Sequence, residues 1–352
     1  MPVFSAKPLE EGCAKIFRAA GLTEAESKQV AHSLVLSNLM GHDSHGVIRV
    51  TQYLQLLEEG KMKSGQEIRV VREADASAVM DGGWGFGQIV CRQAMKIAME
   101  KASAGSVAAV ELFQTCHIGR LGEYVEMAAE SEMIGMIMCN NHGGGLLQAP
   151  FGGIDPKMSP NPLSIGFPTG QEFPIIVDMT SSVVAEGKIR LKRNLGETIP
   201  DGWALDADGN PVNDPDVFYG PPRGAILPMG GIVAHKGFAL AIMVDLLSGV
   251  LGGGGCSRDG VTSGGNGVFL MVLDIRAFTD MERYYDEIGE FTQHLKRSRL
   301  APGVEEIFLP GEIEGRLRKK REEEGVVVDE ETWRKIQEVA QGLNVPLGLV
   351  AN

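Results

Sequence analysis

Glycine sets the terms on which this chain can fold. It supplies 46 of 352 residues, more than turns between simple helices require, and much of it is gathered in short dense runs. Glycine lets backbone approach a ligand or another strand closely and is costly inside regular elements, so its clusters mark places where backbone must meet something. Five of the seven histidines, His42, His45, His117, His142 and His235, stand within two residues of a glycine. Imidazole titrates near neutral pH. The co-location predicts one polar pocket assembled from distant segments.

Composition removes several classes. The net charge is −13, a sign that repels phosphate backbones and anionic membrane surfaces, so neither nucleic acid nor membrane is expected as a partner. The segment MPVFSAKPLEEG has no basic region followed by an apolar run, and no leader is expected. The longest apolar segment, Phe238 to Leu247, is too short to span a bilayer and is interrupted by Asp245. Cys13, Cys91, Cys116, Cys139 and Cys256 are odd in number, scattered, and free of any C-x-x-C spacing. That pattern fits a reducing cytoplasm.

The periodicity predicts an α/β fold. Leu9, Cys13, Ile16, Phe17 and Ala20 form a helical stripe stopped by Gly21. Thr23 and Glu26 give a capping-box signature for a second helix through Val30, Leu34, Val35 and Leu39. A third runs from about Val47 through Tyr53 and Leu57 to Gly60, with GHDSHG in the joint before it. Beyond Gly65 come β-like runs at Ile68–Val71 and Ala78–Met80. Then helix and strand alternate: helix Gln88–Ala104, strand Val107–Leu112, helix near Arg120–Glu130, strand Ile134–Cys139. Asn140 to Pro168 is dense in Gly and Pro and reads as a long functional loop, before the buried strand PIIVDMT. A helix from His235 to about Val250, the break LGGGG, a strand Gly267–Asp274 and a charged helical tail from Asp280 complete the pattern. No period repeats. The expected organisation is a helical domain built from 1–75 together with 276–352, around a central α/β domain of 76–275.

Several polar residues occupy positions suited to chemistry. Ser44 and His45 stand at a helix joint, with Arg49 four residues past His45 and on the same face if the next helix has begun by then. A guanidinium can grip a carboxylate with two bonds while an imidazole beside it exchanges a proton, a pairing suited to a 2-oxo or 2-hydroxy acid. The same residues also read as a helix cap and a surface pair. His117 follows an apolar strand and precedes a helix, where α/β proteins direct groups at ligands, or where a loop histidine caps. Asp178 ends PIIVDMT, placed to hold ribose hydroxyls or to cap a helix. His235 and Lys236 open a long helix whose free N–H groups and dipole favour phosphate.

Absent motifs matter equally. Gly187-Lys188 is followed by Ile189, so there is no phosphate loop of the G-x-x-x-x-G-K-[ST] type, and neither G-x-G-x-x-G nor G-x-S-x-G occurs. His42 and His45 lack a third metal ligand at sensible spacing. No metal site is expected.

Taken together, DSHGVIR (43–49), HIGRLGEYVEMAA (117–129), APFGG (149–153), NPLSIGFP (161–168), VDMTSSVVAEGK (177–188), PDGWALDADGNPVNDP (200–215), LPMGG (227–231), HKGFALAIMVDLLSGVLGG (235–253), GNGVFLMVLD (265–274) and LPGE (309–312) resemble, in order, the type-2 malate/L-lactate dehydrogenase family. The resemblance implies a homodimeric oxidoreductase using NAD or NADP on small 2-oxo or 2-hydroxy acids and related imines. It also implies a nucleotide-binding fold distinct from Rossmann, with a large mixed sheet.

Carried over by position, His45 exchanges the substrate's proton in some members and His117 in others. Ser44 orients His45, and Arg49 anchors the carboxylate. Asp178, Met179 and Thr180 match a ribose-contacting segment, His235 and Lys236 a cofactor-contacting helix start, and Pro310, Gly311 and Glu312 a C-terminal cofactor loop. Asn141 falls among the cofactor contacts, in a place where the family often has Asn-Ser and this chain has Asn140-Asn141-His142. A second departure is Ser159-Pro160-Asn161-Pro162 where the family often has G-T-N-P. Two other readings remain open for the residues themselves: a non-catalytic nucleotide or metabolite binder on the same fold, and a metal-dependent hydrolase using His42 and His45.

Overall fold

A computed structural model describes residues 1–261 and 264–348. The chain begins with β1 (Val3–Phe4), α1 (Ala6–Ala19), α2 (Glu24–Leu39) and α3 (Arg49–Glu58), followed by β2 (Arg69–Ala74), β3 (Ser77–Gly85), α4 (Gly87–Gly105) and β4 (Val107–Cys116). Next come α5 (Gly122–Glu130), β5 (Met133–Asn140), β6 (Leu163–Phe167), β7 (Ile175–Met179), α6 (Glu186–Asn194), β8 (Ala204–Leu205), β9 (Pro211–Val212), α7 (Pro215–Tyr219) and β10 (Ala225–Ile226). The remainder is α8 (His235–Val250), β11 (Gly265–Asp274), α9 (Met281–Lys296), α10 (Glu312–Glu324), β12 (Val326–Val327) and α11 (Glu330–Gly342).

The principal sheet has seven strands in the order β2-β3-β4-β11-β5-β6-β7. Only β3 and β4 pair in parallel; every other neighbouring pair is antiparallel. This is a mixed sheet, unlike the parallel doubly wound sheet that G-x-G-x-x-G accompanies. Strand β11 arrives late in the chain yet lies in the middle, with Leu270 opposite Val110 on one side and Ile137 on the other. Its apolar sequence follows from that central position.

Alternation along the strands divides the side chains between two faces. Val110, Leu112, Ile137, Leu270 and Val272 pack with Ala94, Met95, Tyr124 and Val125 of α4 and α5. The opposite face carries Met138, Leu163 and Phe269 and meets α8 through Leu240, Val244 and Leu247. A second core joins the two ends of the chain: Leu9, Phe17, Leu34 and Tyr53 pack with Val326, Val328, Ile336 and Ala340. The capping box of Thr23 and Glu26 is present and starts α2.

Three features differ from the sequence reading. The Gly/Pro-dense stretch is not wholly irregular, because Leu163–Phe167 forms β6 between β5 and β7; proline on either side hid the short run. Residues between β7 and α8 build a small core of their own from Val184, Ile189, Ile199, Ala204, Phe218 and Ile226. Its strands are two residues long and leave no periodic signal. Among the described residues the charged tail forms three helices, separated at Arg297–Gly311 and by β12.

Leu270 is fully buried at the centre of the sheet. Leu270→Ala is expected to cost about 2–5 kcal/mol, read as a lower urea midpoint with an unchanged slope; a loss below 1 kcal/mol would show that β11 is not the core strand.

Candidate active site

The site begins where α2 stops. Asn38, buried at the end of α2, donates from Nδ2 to Asp43 Oδ1 at 2.7 Å and accepts Val47 N–H at 2.8 Å. Arg321 of α10 grips the same Asp43 at 2.8 Å. A side chain at Gly46 would overlap the Asn38 amide, which is why that position is glycine. These contacts pin the 3-10 turn Asp43–His45 and present Ser44 and His45. Ser44 Oγ lies 3.0 Å from His45 Nδ1. Arg49, the first residue of α3, donates from Nε to the Ser44 carbonyl at 2.7 Å and from Nη1 to Gln52 Oε1 at 2.6 Å. Both acceptors are neutral, and among the described residues Arg49 makes no ion pair.

His117 enters from the end of β4. Its ring stacks on that of His45 with centroids 5.4 Å apart and an interplanar angle of 19°. Tyr53 Oη lies 2.8 Å from His117 Nδ1 and accepts from Gln88 Nε2 at 2.8 Å. Gly87, at the start of α4, lets that helix abut the His117 carbonyl, where a Cβ would not fit. Burial, followed by the nearby Arg49 charge, pushes His45 down to about 3 and holds His117 well below the ordinary imidazole value. Burial and Arg120 push His42 down to about 4. Both members of the stacked pair are therefore neutral near pH 7, beside a cation.

A second group of charges adjoins the first. Asp178, on β7, accepts the Gly122 N–H at the start of α5 at 2.8 Å. Arg120 chelates Glu126 with bonds of 3.1 and 2.7 Å. Gly122 is required here, since a Cβ would meet both Arg120 and Asp178. Burial raises Asp178 to about 6, opposed by Arg120 and by the Gly122 N–H. Pro310 and Gly311 run along β7: the Pro310 carbonyl accepts Ile176 N–H at 3.0 Å, and Gly311 holds a φ of 95°. Glu312 spends its carboxylate locally, on Lys296 and on the Leu309 N–H at 2.9 Å.

Met179 faces α8, and Thr180 Oγ1 accepts Ser182 N–H at 2.8 Å. The Ser181 carbonyl accepts Met229 N–H at 2.9 Å, and Gly237 closes α8 onto Met229, so the start of α8 adjoins the end of β7. There His235 and Lys236 are exposed. Asn141 accepts from Asn266 Nδ2 at 3.2 Å, and Asn266 Oδ1 accepts Ile118 N–H at 3.1 Å, placing Asn141 close to the His117 loop.

The structure thus brings Ser44, His45, Arg49 and His117 together, but the expectation of one five-histidine pocket is not met. His142 packs at a tilt against Trp84 and accepts the Gln114 N–H at 3.2 Å, and His235 sets its ring edge-on against Phe151. Gly143, with a φ of 86°, serves the tight loop beside His142, and His235 lies apart from the stacked pair at the start of α8. Sequence reasoning missed Tyr53, Gln88, Arg120, Glu126 and the start of α6, where Gly187 comes against Ser44. Tyr53 carried one available signal, lying one helical turn past Arg49. Among the described residues no group of three His, Cys, Asp or Glu is arranged to hold a metal ion.

A mixed sheet with a half-buried imidazole pair beside an arginine places the chain in the class of hydroxy acid dehydrogenases when the comparisons with known proteins are set beside it. It belongs to the malate/L-lactate dehydrogenase family, whose profile matches residues 4–337. The chain is 35% identical over 340 residues to malate dehydrogenase of Pyrococcus horikoshii, covering 94% of this chain and 92% of that one. It is 34% identical over 339 residues to malate/(S)-sulfolactate dehydrogenase of Methanothermus fervidus, covering 95% and 96%. The solved structure of sulfolactate dehydrogenase from Methanocaldococcus jannaschii superposes with a TM-score of 0.87 at 30% identity, covering 98% of each chain.

The depressed imidazoles link stability to pH. A histidine that resists protonation when folded, but not when unfolded, contributes stability that is present above the ordinary value near 6.5 and lost as pH falls toward its folded value. For His45 and His42 the window runs from about 6.5 down to about 3 and about 4. Urea unfolding at pH 7 and pH 5 should show a loss of roughly 1–2 kcal/mol per histidine, and His45→Gln should shrink it. An equal loss in wild type and variant would contradict the burial of His45.

Proposed function

We propose that this chain is a dehydrogenase of small 2-hydroxy acids that uses NAD or NADP and, in reverse, reduces the corresponding 2-oxo acids. The observation that carries the reading is the pair of neutral stacked imidazoles beside Arg49, a cation whose acceptors among the described residues are neutral. A half-buried guanidinium in that state gains most from an arriving carboxylate, which can take two parallel N–H bonds. The imidazoles then lie beside the carbon next to that carboxylate. His45, oriented by Ser44, is read as the group that takes the hydroxyl proton on oxidation and returns it on reduction. His117 contacts the same oxygen.

The residues present fit a dinucleotide. Asp178 offers a carboxylate for ribose hydroxyls, with Met179 and Thr180 continuing the same strand end. The first turn of α8 has no side-chain cap, so its N–H groups, with Lys236 and His235, suit phosphate. Asn141, Pro310 and Gly311 complete the assignment, while Glu312 acts there by shaping the loop. When bound, the nicotinamide supplies the hydride chemistry; the protein's part is orientation and proton exchange.

The same proposal extends to organisation. It takes the helical domain as 1–75 with 276–352 and the central domain as 76–275, and it places the protein in the cytoplasm. No helix among the described residues is long and apolar enough to cross a membrane. It also takes the protein as a homodimer. Of the helices, α8 faces the second side of the sheet, and its outer surface leaves Leu246 and Val250 51% and 60% exposed, an apolar strip suited to a second copy.

Two experiments test these points. With a panel of 2-oxo acids and both reduced cofactors, oxidation should be seen at the nicotinamide absorbance band. His45→Ala should lower kcat by on the order of 10²–10⁴ without weakening cofactor binding, and Arg49→Lys should chiefly raise KM. Unchanged turnover in the first variant, or an unaltered KM in the second, would overturn the corresponding role. Sedimentation should give a dimer that Leu246→Asp dissociates; a wild-type monomer would refute the dimer.

A further inference from the structure

We propose that Tyr53, held by Gln88, is a positioning residue that locks His117 into the tautomer with its proton on Nε2, so that His117 is a fixed hydrogen-bond donor and His45 is the proton carrier. The inference rests on the dehydrogenase reading and divides the work between two histidines that the reading leaves side by side.

Gln88 is fully buried at the start of α4, and its Nε2 stands 2.8 Å from Tyr53 Oη. An amide N–H can only donate, so the phenol oxygen is an acceptor in that bond. The single phenolic hydrogen is then committed to the other partner, His117 Nδ1, at 2.8 Å. A ring nitrogen that accepts a hydrogen carries none of its own, and a neutral imidazole therefore keeps its one proton on Nε2. Tyr53 is itself fully buried, and burial raises its hydroxyl to about 12, so the phenol stays protonated and the lock holds at neutral pH. The charged and titratable groups that face His117 are Arg49 and Tyr53 from α3 and His45 from the turn; were Tyr53 to accept from Nδ1 as well as from Gln88, its own buried hydrogen would have no acceptor among its hydrogen-bond partners.

His45 has a different second partner. Ser44 Oγ, 3.0 Å from His45 Nδ1, either donates or accepts, so this bond fixes no tautomer. With Nδ1–H directed at Ser44, the Nε2 lone pair of His45 is free to take the substrate hydroxyl proton, and the resulting imidazolium keeps its bond to Ser44. His117 cannot do the same, because its Nε2 already bears a proton and its Nδ1 is occupied by the Tyr53 hydrogen. What His117 offers is an N–H that points at the substrate oxygen in either direction of reaction. Rotating the Gln88 amide would reverse every donor in the chain and exchange the two roles, which gives the proposal a definite opposite.

The test has a readout that does not depend on turnover. In the full chain labelled with 15N in its histidine rings, two-bond proton–nitrogen correlation near pH 7 should show His117, assigned by its loss in His117→Gln, as the Nε2–H form. Tyr53→Phe, which removes one oxygen and keeps the ring, should shift His117 toward a mixture of forms and leave His45 unchanged. A wild-type His117 in the Nδ1–H form, or one indifferent to Tyr53→Phe, overturns the lock. Kinetically, His117→Gln retains an N–H donor and should lose less kcat than His45→Gln, which should lose on the order of 10²–10⁴. The reverse ranking overturns the division of roles. If the wild-type protein turned over no acid with either cofactor, the dehydrogenase reading would fail, while the ring spectra would still decide the tautomer.

Discussion

The insertion of β11 between β4 and β5 is the constraint on which the site depends. Strands β4 and β5 each end in a loop that carries candidate site residues, His117 after the first and Asn141 after the second. Without a strand between them these ends have no reason to be held at a fixed separation. Asn266, near the start of β11, ties them directly: its Oδ1 takes the Ile118 N–H, and its Nδ2 reaches both the Asn140 carbonyl and Asn141. A buried amide that satisfies three groups in this way is costly to disturb, because each partner left unpaired loses its hydrogen bond without regaining water. The same strand is clamped by apolar neighbours on both sides. Core stability and site geometry therefore share one element.

Burial does the electrostatic work at the imidazole pair. A histidine in water is partly protonated at neutral pH, and two stacked imidazolium rings beside an arginine would place three like charges together. Desolvation leads and the Arg49 charge follows in depressing both rings, so the pair remains neutral and can hold lone pairs and N–H groups toward a ligand. Other buried or half-buried arginines are treated differently by the fold. Arg120 is answered by Glu126, Arg92 by Glu123 and Arg321 by Asp43. These pairs join elements to one another: the Arg92–Glu123 bond links α4 to α5, and Arg321 links α10 to the turn that carries His45.

The sequence exposed what is local or strongly patterned. The capping box at Thr23, the apolar run of β11, and the His45 to Arg49 spacing could be read because a few neighbouring residues determine each. Order within the sheet could not, since nothing in β11 itself says which strands it will separate. Tyr53 sat in an apolar helical stripe where its ring belongs to the core and only its hydroxyl belongs to the site. Two-residue strands such as β8, β9 and β10 carry no period to detect, and the small core that they build around Ile189 and Phe218 went unseen. His142 shows the converse error. A glycine neighbour is a sound sign of close backbone approach, but close approach to a tryptophan in a tight loop looks the same in one dimension as approach to a ligand.

The charge of the whole chain sharpens the reading of Arg49. A protein with a net charge of −13 repels small organic anions at long range, so any site for them must be locally positive. In the proposed reading Arg49 meets that need, because among the described residues no carboxylate pairs with it, as Glu126 and Asp43 pair with Arg120 and Arg321. In the dehydrogenase reading this has a consequence for the proton. The Arg49 charge is one reason why His45 resists protonation, and an arriving carboxylate compensates that charge at close range. Substrate binding then raises the proton affinity of His45 at the moment when the residue must hold the hydroxyl proton. The anchor and the proton carrier are coupled through the space between them, and the substrate's own charge prepares the base that acts on it.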